Sequence, residues 1–405
     1  MIERAGIDQI KELARFFPAI ALVGARQTGK TTLVQALFPD YSYVSLDVPS
    51  QAALAEHDPD AFFALHPAPI IIDEVQYAPG LFRHLKVQID AARHEMGRYI
   101  LTGSQKFGLM KSLSDSLAGR VGIVSLEGLS FAELQAAQLG ELRPWLHRGG
   151  YPELWRLPDF PARQFFASYL ATYLERDVRQ LLNVGDLRDF ERFIRVLAQR
   201  HGQQLDYAAI ANGIGVGART VKAWVSVLEA SNQIFLLEPW YGNLGKRILK
   251  KPKVYFADSG LVCWLLGIEA ESLDQSPFVG PIWEGAVFAE LRRQASALGL
   301  NRTFYYYRDN EGTEVDFLVL GGGARFIEVK WTQYPAASDA RSVKKLAKLT
   351  QGGSSPELRD PTLWILCRTE QAYPLEAGAS VTAASVTGDS VTAAGLSSVG
   401  KILTS

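Results

Sequence analysis

Eight consecutive residues, Gly24-Ala25-Arg26-Gln27-Thr28-Gly29-Lys30-Thr31, space two glycines around four residues and end in Lys-Thr. Glycines at these positions let the backbone curl so that successive amides point inward, which makes a nest for an anion. Lys30 is then placed to reach the β- and γ-phosphates of a nucleoside triphosphate, and the Thr31 hydroxyl to hold magnesium. The residues before the loop, ALVG, read as a strand; those from Thr32 onward read as an apolar-periodic helix. The N-terminal end of such a helix adds positive potential at the same point. Gly24 through Thr32 are therefore the candidate nucleotide-binding residues.

A second group supports the first. Ile70-Ile71-Ile72-Asp73-Glu74 is an apolar strand ending in two acids. A magnesium–ATP site needs one acid to orient the ion's shell and another to activate water; Asp73 suits the first role and Glu74 the second. Ser104 and Gln105 follow the strand RYILTG, where they would stand beside the γ-phosphate or the attacking water, with Thr102 as the alternative. Arg120, in SLAGR, is a candidate source of positive charge for the phosphates, in cis or from a neighbouring subunit; a surface salt bridge is the competing reading.

Two further clusters lie downstream. Glu284 sits in a helical stretch, Asp316 in a strand, and Glu328 and Lys330 in the next strand with the spacing E-V-K. Strand side chains at i and i+2 share a face. Glu314 and Asp316 should thus oppose Val315, Phe317 and Val319, and Glu328 and Lys330 should oppose Ile327 and Val329. Stacked acids of this kind can hold magnesium, and Lys330 could orient a water; a degenerate domain that binds or scaffolds and a plain charged sheet face are the alternatives. Lys246, Arg247, Lys250, Lys251 and Lys253 form a basic tip without an acid, after a helix presenting Arg219 and Lys222. Such a wing suits phosphates of DNA; a solvated loop or a protein contact is the alternative.

The elements that must position these residues follow from periodicity. Strands at 18–24, 41–47, 69–73 and 98–103 alternate with helical stretches, the rhythm of a parallel sheet covered on both faces. The next part is mostly helical; SFAELQAAQLG opens with a Ser-x-x-Glu capping box. Helical patterns over DFERFIRVLAQRHG, DYAAIANGI and ARTVKAWVSVLEAS precede two strands, QIFLLEPWY and KPKVYFAD. Then come the helix WEGAVFAELRRQASALG, strands TFYYYRD, TEVDFLVLG and ARFIEVKW with a Gly321–Gly323 turn, a helix and the strand TLWILCR. SVTAA, SVTGD and SVTAA repeat from Ser380, a low-complexity pattern expected to pack poorly.

Composition bounds the reading. With 405 residues the chain needs several domains, and 47% hydrophobic with 21% charged residues is a globular profile. A net charge of −1 gives no overall basic field, so a nucleic-acid contact would have to be local. Cys263 and Cys367 are too few and too far apart for a disulfide framework or a cysteine-type zinc site. The first residues are charged and amphipathic, unlike a signal peptide, and no apolar run reaches about 18 residues. The expectation is a cytoplasmic protein with no membrane partner.

FPAIALVGARQTGKTTLV, YVSLD, PIIIDEVQYAPGLF, ILTGSQKF and SLAGRV resemble the AAA-type ATPases of bacteria and archaea that carry an uncharacterised C-terminal domain. GGYPE, YLERDV, KVYFADSGL and the WEGAVFAEL, TEVDF and IEVK series resemble that C-terminal part. The resemblance covers about residues 1–370. It implies an AAA+-like core with Lys30, Thr31, Asp73 and Glu74 as Walker A and B residues, ATP and Mg2+ as cofactors, and a candidate homo-oligomer. It also implies a winged helix near 189–258, and Glu284, Asp316, Glu328 and Lys330 resemble the PD-(D/E)xK nuclease pattern.

The expected fold is α/β: a P-loop NTPase parallel sheet (1–125), a helical lid or connector (126–188), a winged-helix module (189–275), a small restriction-endonuclease-like α/β domain (276–375) and the tail (376–405). The expected function is an ATPase driving a DNA- or protein-binding C-terminal half. The alternatives are an ATP-regulated metal-dependent nuclease and a non-hydrolysing nucleotide-gated switch.

Overall fold

The computed structural model describes residues 2–104, 116–173, 187–241, 251–351, 356–375 and 390–405. Its first sheet is built from β1 (Ala19–Val23), β2 (Ser42–Ser45), β3 (Ile70–Asp73), β4 (Tyr99–Gly103) and β5 (Val121–Ser125), in the spatial order β2-β3-β4-β1-β5. All pairings are parallel. The central strands are apolar throughout because both faces are covered. Ala19, Ala21 and Val23 of β1 pack with Phe82 and Leu85 on one side. Ile20 and Leu22 pack with Ile10, Leu33 and Val34 on the other, under α1 (Ile7–Phe16) and α2 (Lys30–Leu37). β5 is the strand that periodicity did not single out. It is an edge strand, half-exposed along its length, so its sequence lacks the apolar run that marks β3 and β4.

A helical region joins this sheet to the rest. Its first helix, α3 (Phe131–Ala136), starts on the expected capping box: the Ser130 hydroxyl accepts from the Glu133 amide, and Glu133 accepts from the Ser130 amide. α4 (Ala162–Tyr173) follows; most of YLERDV lies outside the described residues. Next come α5 (Leu187–Ala198), α6 (Tyr207–Ile214) and α7 (Ala218–Ala230). Then β6 (Ile234–Leu237) and β7 (Lys253–Phe256) pair antiparallel.

The second large sheet is mixed. β8 (Thr303–Arg308), β9 (Glu314–Leu320), β10 (Arg325–Val329), β11 (Thr362–Leu366), β12 (Tyr373–Pro374) and β13 (Val391–Ala394) lie in the order β12-β13-β11-β10-β9-β8. The long helix α8 (Val279–Ala297) covers one face, and α9 (Arg341–Gln351) the other.

The tail departs from expectation. Residues 376–389 lie outside the described residues, but β13 pairs in parallel with β11, and α10 (Val399–Thr404) buries Val399, Ile402 and Leu403 in the main core. Val391, Thr392, Ala393 and Ala394 are all buried. Small residues that look like low-complexity sequence are what a strand needs when it is packed on both faces. No described helix is long and apolar enough to cross a membrane, and Cys263 and Cys367 are buried and unpaired with each other.

Candidate functional site

The sheet order brings three strand ends together. β4 lies between β3 and β1, so residues after β1 (the Gly24–Thr31 loop), after β3 (Asp73, Glu74) and after β4 (Ser104) meet at the carboxyl edge. Gly24 admits no side chain: a Cβ there would lie 1.9 Å from the Leu126 carbonyl oxygen. Gly29, at φ +90°, caps α2 in the left-handed region that only glycine takes without strain. Thr28 Oγ1 donates to the Ala25 carbonyl at 2.9 Å, and the buried Lys30 ammonium donates to the carbonyls of Gly24 (2.9 Å) and Ala25 (2.8 Å), so the loop is braced from within.

Thr31 Oγ1 stands 3.0 and 3.1 Å from the two Asp73 carboxylate oxygens. Tyr43 donates to Asp73 Oδ2 at 2.9 Å, and Thr102 donates to Oδ1. Burial and the Asp73 carboxylate push the Tyr43 phenol up to about 12, so it stays a donor. Glu74 has φ 55°, and its amide donates to Thr102 Oγ1 at 3.1 Å. Its carboxylate accepts from Ser104 Oγ at 3.0 Å and from the Gln76 side chain, which also reaches Ser104 Oγ at 3.2 Å. Burial works to raise the Glu74 pKa. Lys30, Gln76, Arg26 and Ser104 together outweigh it and hold the carboxyl below its ordinary value, so it is an anion at neutral pH. Arg26 donates to the Tyr77 hydroxyl at 3.0 Å.

Ser104 therefore stands beside Glu74, while Gln105 lies outside the described residues. Arg120 is elsewhere. Its carbonyl accepts from the Ala19 amide at the start of β1, the end opposite the loop, and its guanidinium clasps Asp90 at 2.7 and 3.0 Å. A contact from Arg120 to phosphates on its own chain is excluded by that position; the salt bridge is what the fold forms. Gln76, Tyr43 and Thr102 surround the two acids, and periodicity alone gives Gln76 and Tyr43 no distinguishing mark.

A cavity of about 410 Å³ opens over this cluster, lined by Arg26, Lys30, Thr31, Glu74 and Tyr173 among others. Beside it is a larger one of about 1050 Å³, walled by Ile2, Leu129, Trp155 and Phe165. The two share Gln27, Gly29, Thr32, Tyr169 and Thr172. Arg4 borders the larger cavity and ties its walls: Nη1 donates to the Thr28 carbonyl (2.9 Å), Nη2 to the Glu127 carbonyl (2.7 Å) and Nε to Glu133 (3.0 Å).

The downstream acids converge too, with changed partners. Lys253 is buried rather than exposed on a basic tip: its ammonium lies 3.0 Å from Glu284, 2.7 Å from Glu314 and 3.7 Å from Asp316. It is withdrawn from any DNA-facing wing because three acids on α8 and β9 face β7. Lys246, Arg247 and Lys250 lie outside the described residues, and Lys251 pairs with Asp206. Tyr255 donates to Glu284 at 2.5 Å, Asp316 accepts from the Val329 amide at 2.9 Å, and Lys330 donates to Glu328 at 2.7 Å.

The simple alternation expected of β9 fails at Asp316. The β8–β9 register shifts between Tyr305 and Tyr307, which face Leu318 and Val315. One β8 residue thus spans Asp316 and Phe317. The bulge turns Phe317 toward α8, stacked on Phe288 at 5.4 Å, on the side where Asp316 meets Lys253.

Burial, then Asp316, push Glu284 up to about 7, against Lys253 and Tyr255. Burial and Asp316 push Glu328 up to about 8, against Lys330. Lys253 moves upward as well, since Glu284, Asp316 and Glu314 outweigh its burial. The two partners Lys253 and Glu284 thus pull in opposite senses: one favours its ion, the other resists it. Charge count resolves this. Lys253 and Lys330 face four acids, so the lysines stay charged and Glu284 and Glu328 retain a proton near neutrality.

Residues 17–135 match the model of an AAA domain. Residues 139–272 and 279–386 match two families described as Domain of unknown function, DUF8612 and DUF4143. The uncharacterized protein Rv2008c of Mycobacterium tuberculosis is 34% identical over 331 residues, covering 79% of this chain and 72% of that protein. The uncharacterized protein Mb2031c of Mycobacterium bovis matches to the same extent. Among solved structures, the Walker-type ATPase paby2304 of Pyrococcus abyssi matches with a TM-score of 0.44 at 15% identity, over 65% of this chain and 96% of that one. The Thermotoga maritima RuvB Holliday junction branch migration motor matches with a TM-score of 0.29 at 18% identity, over 58% and 89%. The chain belongs to the family of the two mycobacterial proteins, with an AAA-like P-loop ATPase domain ahead of two regions of unknown function.

Proposed function

We propose that this protein binds ATP with magnesium at the Gly24–Thr31 loop, hydrolyses it, and uses the cycle to drive a C-terminal half that contacts DNA or protein. The observation that carries this reading is the meeting of Thr31 Oγ1 and Asp73 at 3.0 Å, beside the buried Lys30 and the ionised Glu74. The residues fit the ligand. A loop with no room for a Cβ at Gly24 offers its amides, Lys30 and Arg26 supply positive charge, and Thr31 with Asp73 would hold the ion. Magnesium there would draw charge off the phosphate oxygens. Glu74, oriented by Ser104 and Gln76, takes the proton of the attacking water. The larger apolar cavity suits the base and ribose.

Lys30→Ala tests the loop. It removes charge-assisted contacts to phosphate and is expected to weaken ATP binding by about 1.5–3 kcal/mol. Titration of a fluorescent ATP analogue in magnesium reads the loss. Wild-type protein without nucleotide affinity would end the reading.

The DNA side of the proposal rests on α7. The winged-helix reading treats it as the recognition helix, and Arg219 and Lys222 are exposed while Val221, Trp224, Val225 and Leu228 are buried. Replacing both cations with Ala should lower DNA affinity and reduce the slope of log affinity against log salt by about 2. An unchanged slope would turn the reading toward a protein partner.

A further inference from the structure

We propose that Lys253 is the resident cation of the C-terminal acidic centre. Its ammonium fills the space between Glu284, Glu314 and Asp316 that a divalent ion would need, and the centre is a metal-independent joint rather than a site that cuts phosphodiesters.

The geometry of the carboxylates supports this. Magnesium requires carboxylate oxygens at about 2.0–2.1 Å in a near-octahedral shell. Around Lys253 the oxygens of Glu284, Glu314 and Asp316 face other donors, while the neighbouring Glu328 Oε2 is buried without a hydrogen-bond partner among the described residues. Glu284 Oε1 accepts from both Lys253 (3.0 Å) and Tyr255 (2.5 Å). Glu314 divides its oxygens between Lys253 and Arg308, and Asp316 Oδ2 takes the Val329 amide. Lys330, the residue that would orient a water in a cutting site, is engaged by Glu328 at 2.7 Å. Among the described residues, no group of three or more His, Cys, Asp or Glu side chains is arranged to hold a metal ion. A dication beside a fixed ammonium would also meet direct repulsion.

Lys253 is held in place by more than its charge. Its strand, β7, pairs with β6, and a bridge joins Gln204 to Lys253. The segment after β6 is stitched to the edge of the second sheet: the Trp240 amide donates to the Tyr306 carbonyl (2.7 Å), and the Tyr306 amide to the Glu238 carbonyl (3.1 Å). Tyr306 also donates from its hydroxyl to the Lys251 carbonyl at 2.7 Å, and its ring lies 5.5 Å from the Lys253 ammonium. The backbone of β7, tied to β6, Gln204 and Tyr306, therefore places the Lys253 side chain beside the acids. The side chain lost from the basic tip thus joins the hairpin to the sheet.

The test uses Mn2+ as the probe, titrated without nucleotide and followed by electron paramagnetic resonance on the full chain. Wild type and Asp316→Asn should take up Mn2+ identically. Lys253→Met keeps the apolar stem and removes the charge. It should gain a site at least tenfold tighter than any wild-type site at these acids, and adding Asp316→Asn should abolish the gain. Mn2+ uptake by wild type that Asp316→Asn removes would overturn the proposal, as would a folded Lys253→Met that gains no uptake. If Lys253→Met does not fold, the comparison of wild type with Asp316→Asn decides alone.

Discussion

Glu74→Gln is expected to leave ATP binding in place and to slow turnover by about 10²–10⁴, the usual contribution of a positioned general base. Glutamine keeps the volume of the side chain and cannot accept the proton of water. Phosphate contacts come from the loop, Lys30 and Thr31, none of which the change removes. The carboxylate is well placed for the role. Ser104 and Gln76 both grip the same oxygen, Oε2, and the Glu74 amide is fixed on Thr102. Because its pKa is depressed, wild-type turnover should hold through neutral pH and decline only as pH falls through that lowered value. Phosphate release measured beside nucleotide binding separates the two effects. Turnover in the variant equal to wild type would remove Glu74 from the reaction and leave Ser104 and Gln76 as supports of a structural acid.

Much of this arrangement is legible in the amino-acid sequence alone. The loop, the helix after it and the two acids announce themselves because each depends on local sequence: curled backbone needs glycine, and a buried central strand needs an unbroken apolar run. What sequence could not show depends on strand order. Tyr43 lies within the strand expected at 41–47 and nothing in the sequence marks it for the site, yet β2 lies beside β3 and sets it against Asp73. In sequence Arg120 could be a phosphate ligand or half of a surface salt bridge; β5 runs parallel to β1 and leaves it at the far edge, paired with Asp90. Lys253 belongs to a basic run in sequence and to an acidic pocket in space. Alternation then misleads at Asp316, because a single bulged residue reverses the count for the rest of β9. The tail misleads in the other direction: alanine and valine repeats carry little periodic signal, but β13 completes the sheet beside β11.

Arg4 carries the other large expectation. It lies outside the motif and carries no sequence signature, but it joins the phosphate loop to the helical region at one buried point. Both Arg4 and Glu133 are 8% exposed, and Glu133 also accepts from the amides of Ala5 (2.8 Å) and Ser130 (2.7 Å). Arg4→Met would leave that carboxylate buried without its cation and the Thr28 carbonyl without its donor. Removing one member of a buried pair typically costs about 3–5 kcal/mol. For a domain of this size that corresponds to a fall in Tm on the order of 10 °C. Glu133→Gln in the same chain removes the stranded charge, so the double variant should recover part of the loss, as a coupled pair must. The reach to Thr28 separates this role from plain core packing. If the guanidinium only fills space, ATP will raise the Tm of Arg4→Met as much as it raises that of wild type. If it braces the loop for phosphate, the variant's ATP-induced rise will be smaller, and calorimetry with and without magnesium–ATP distinguishes the two.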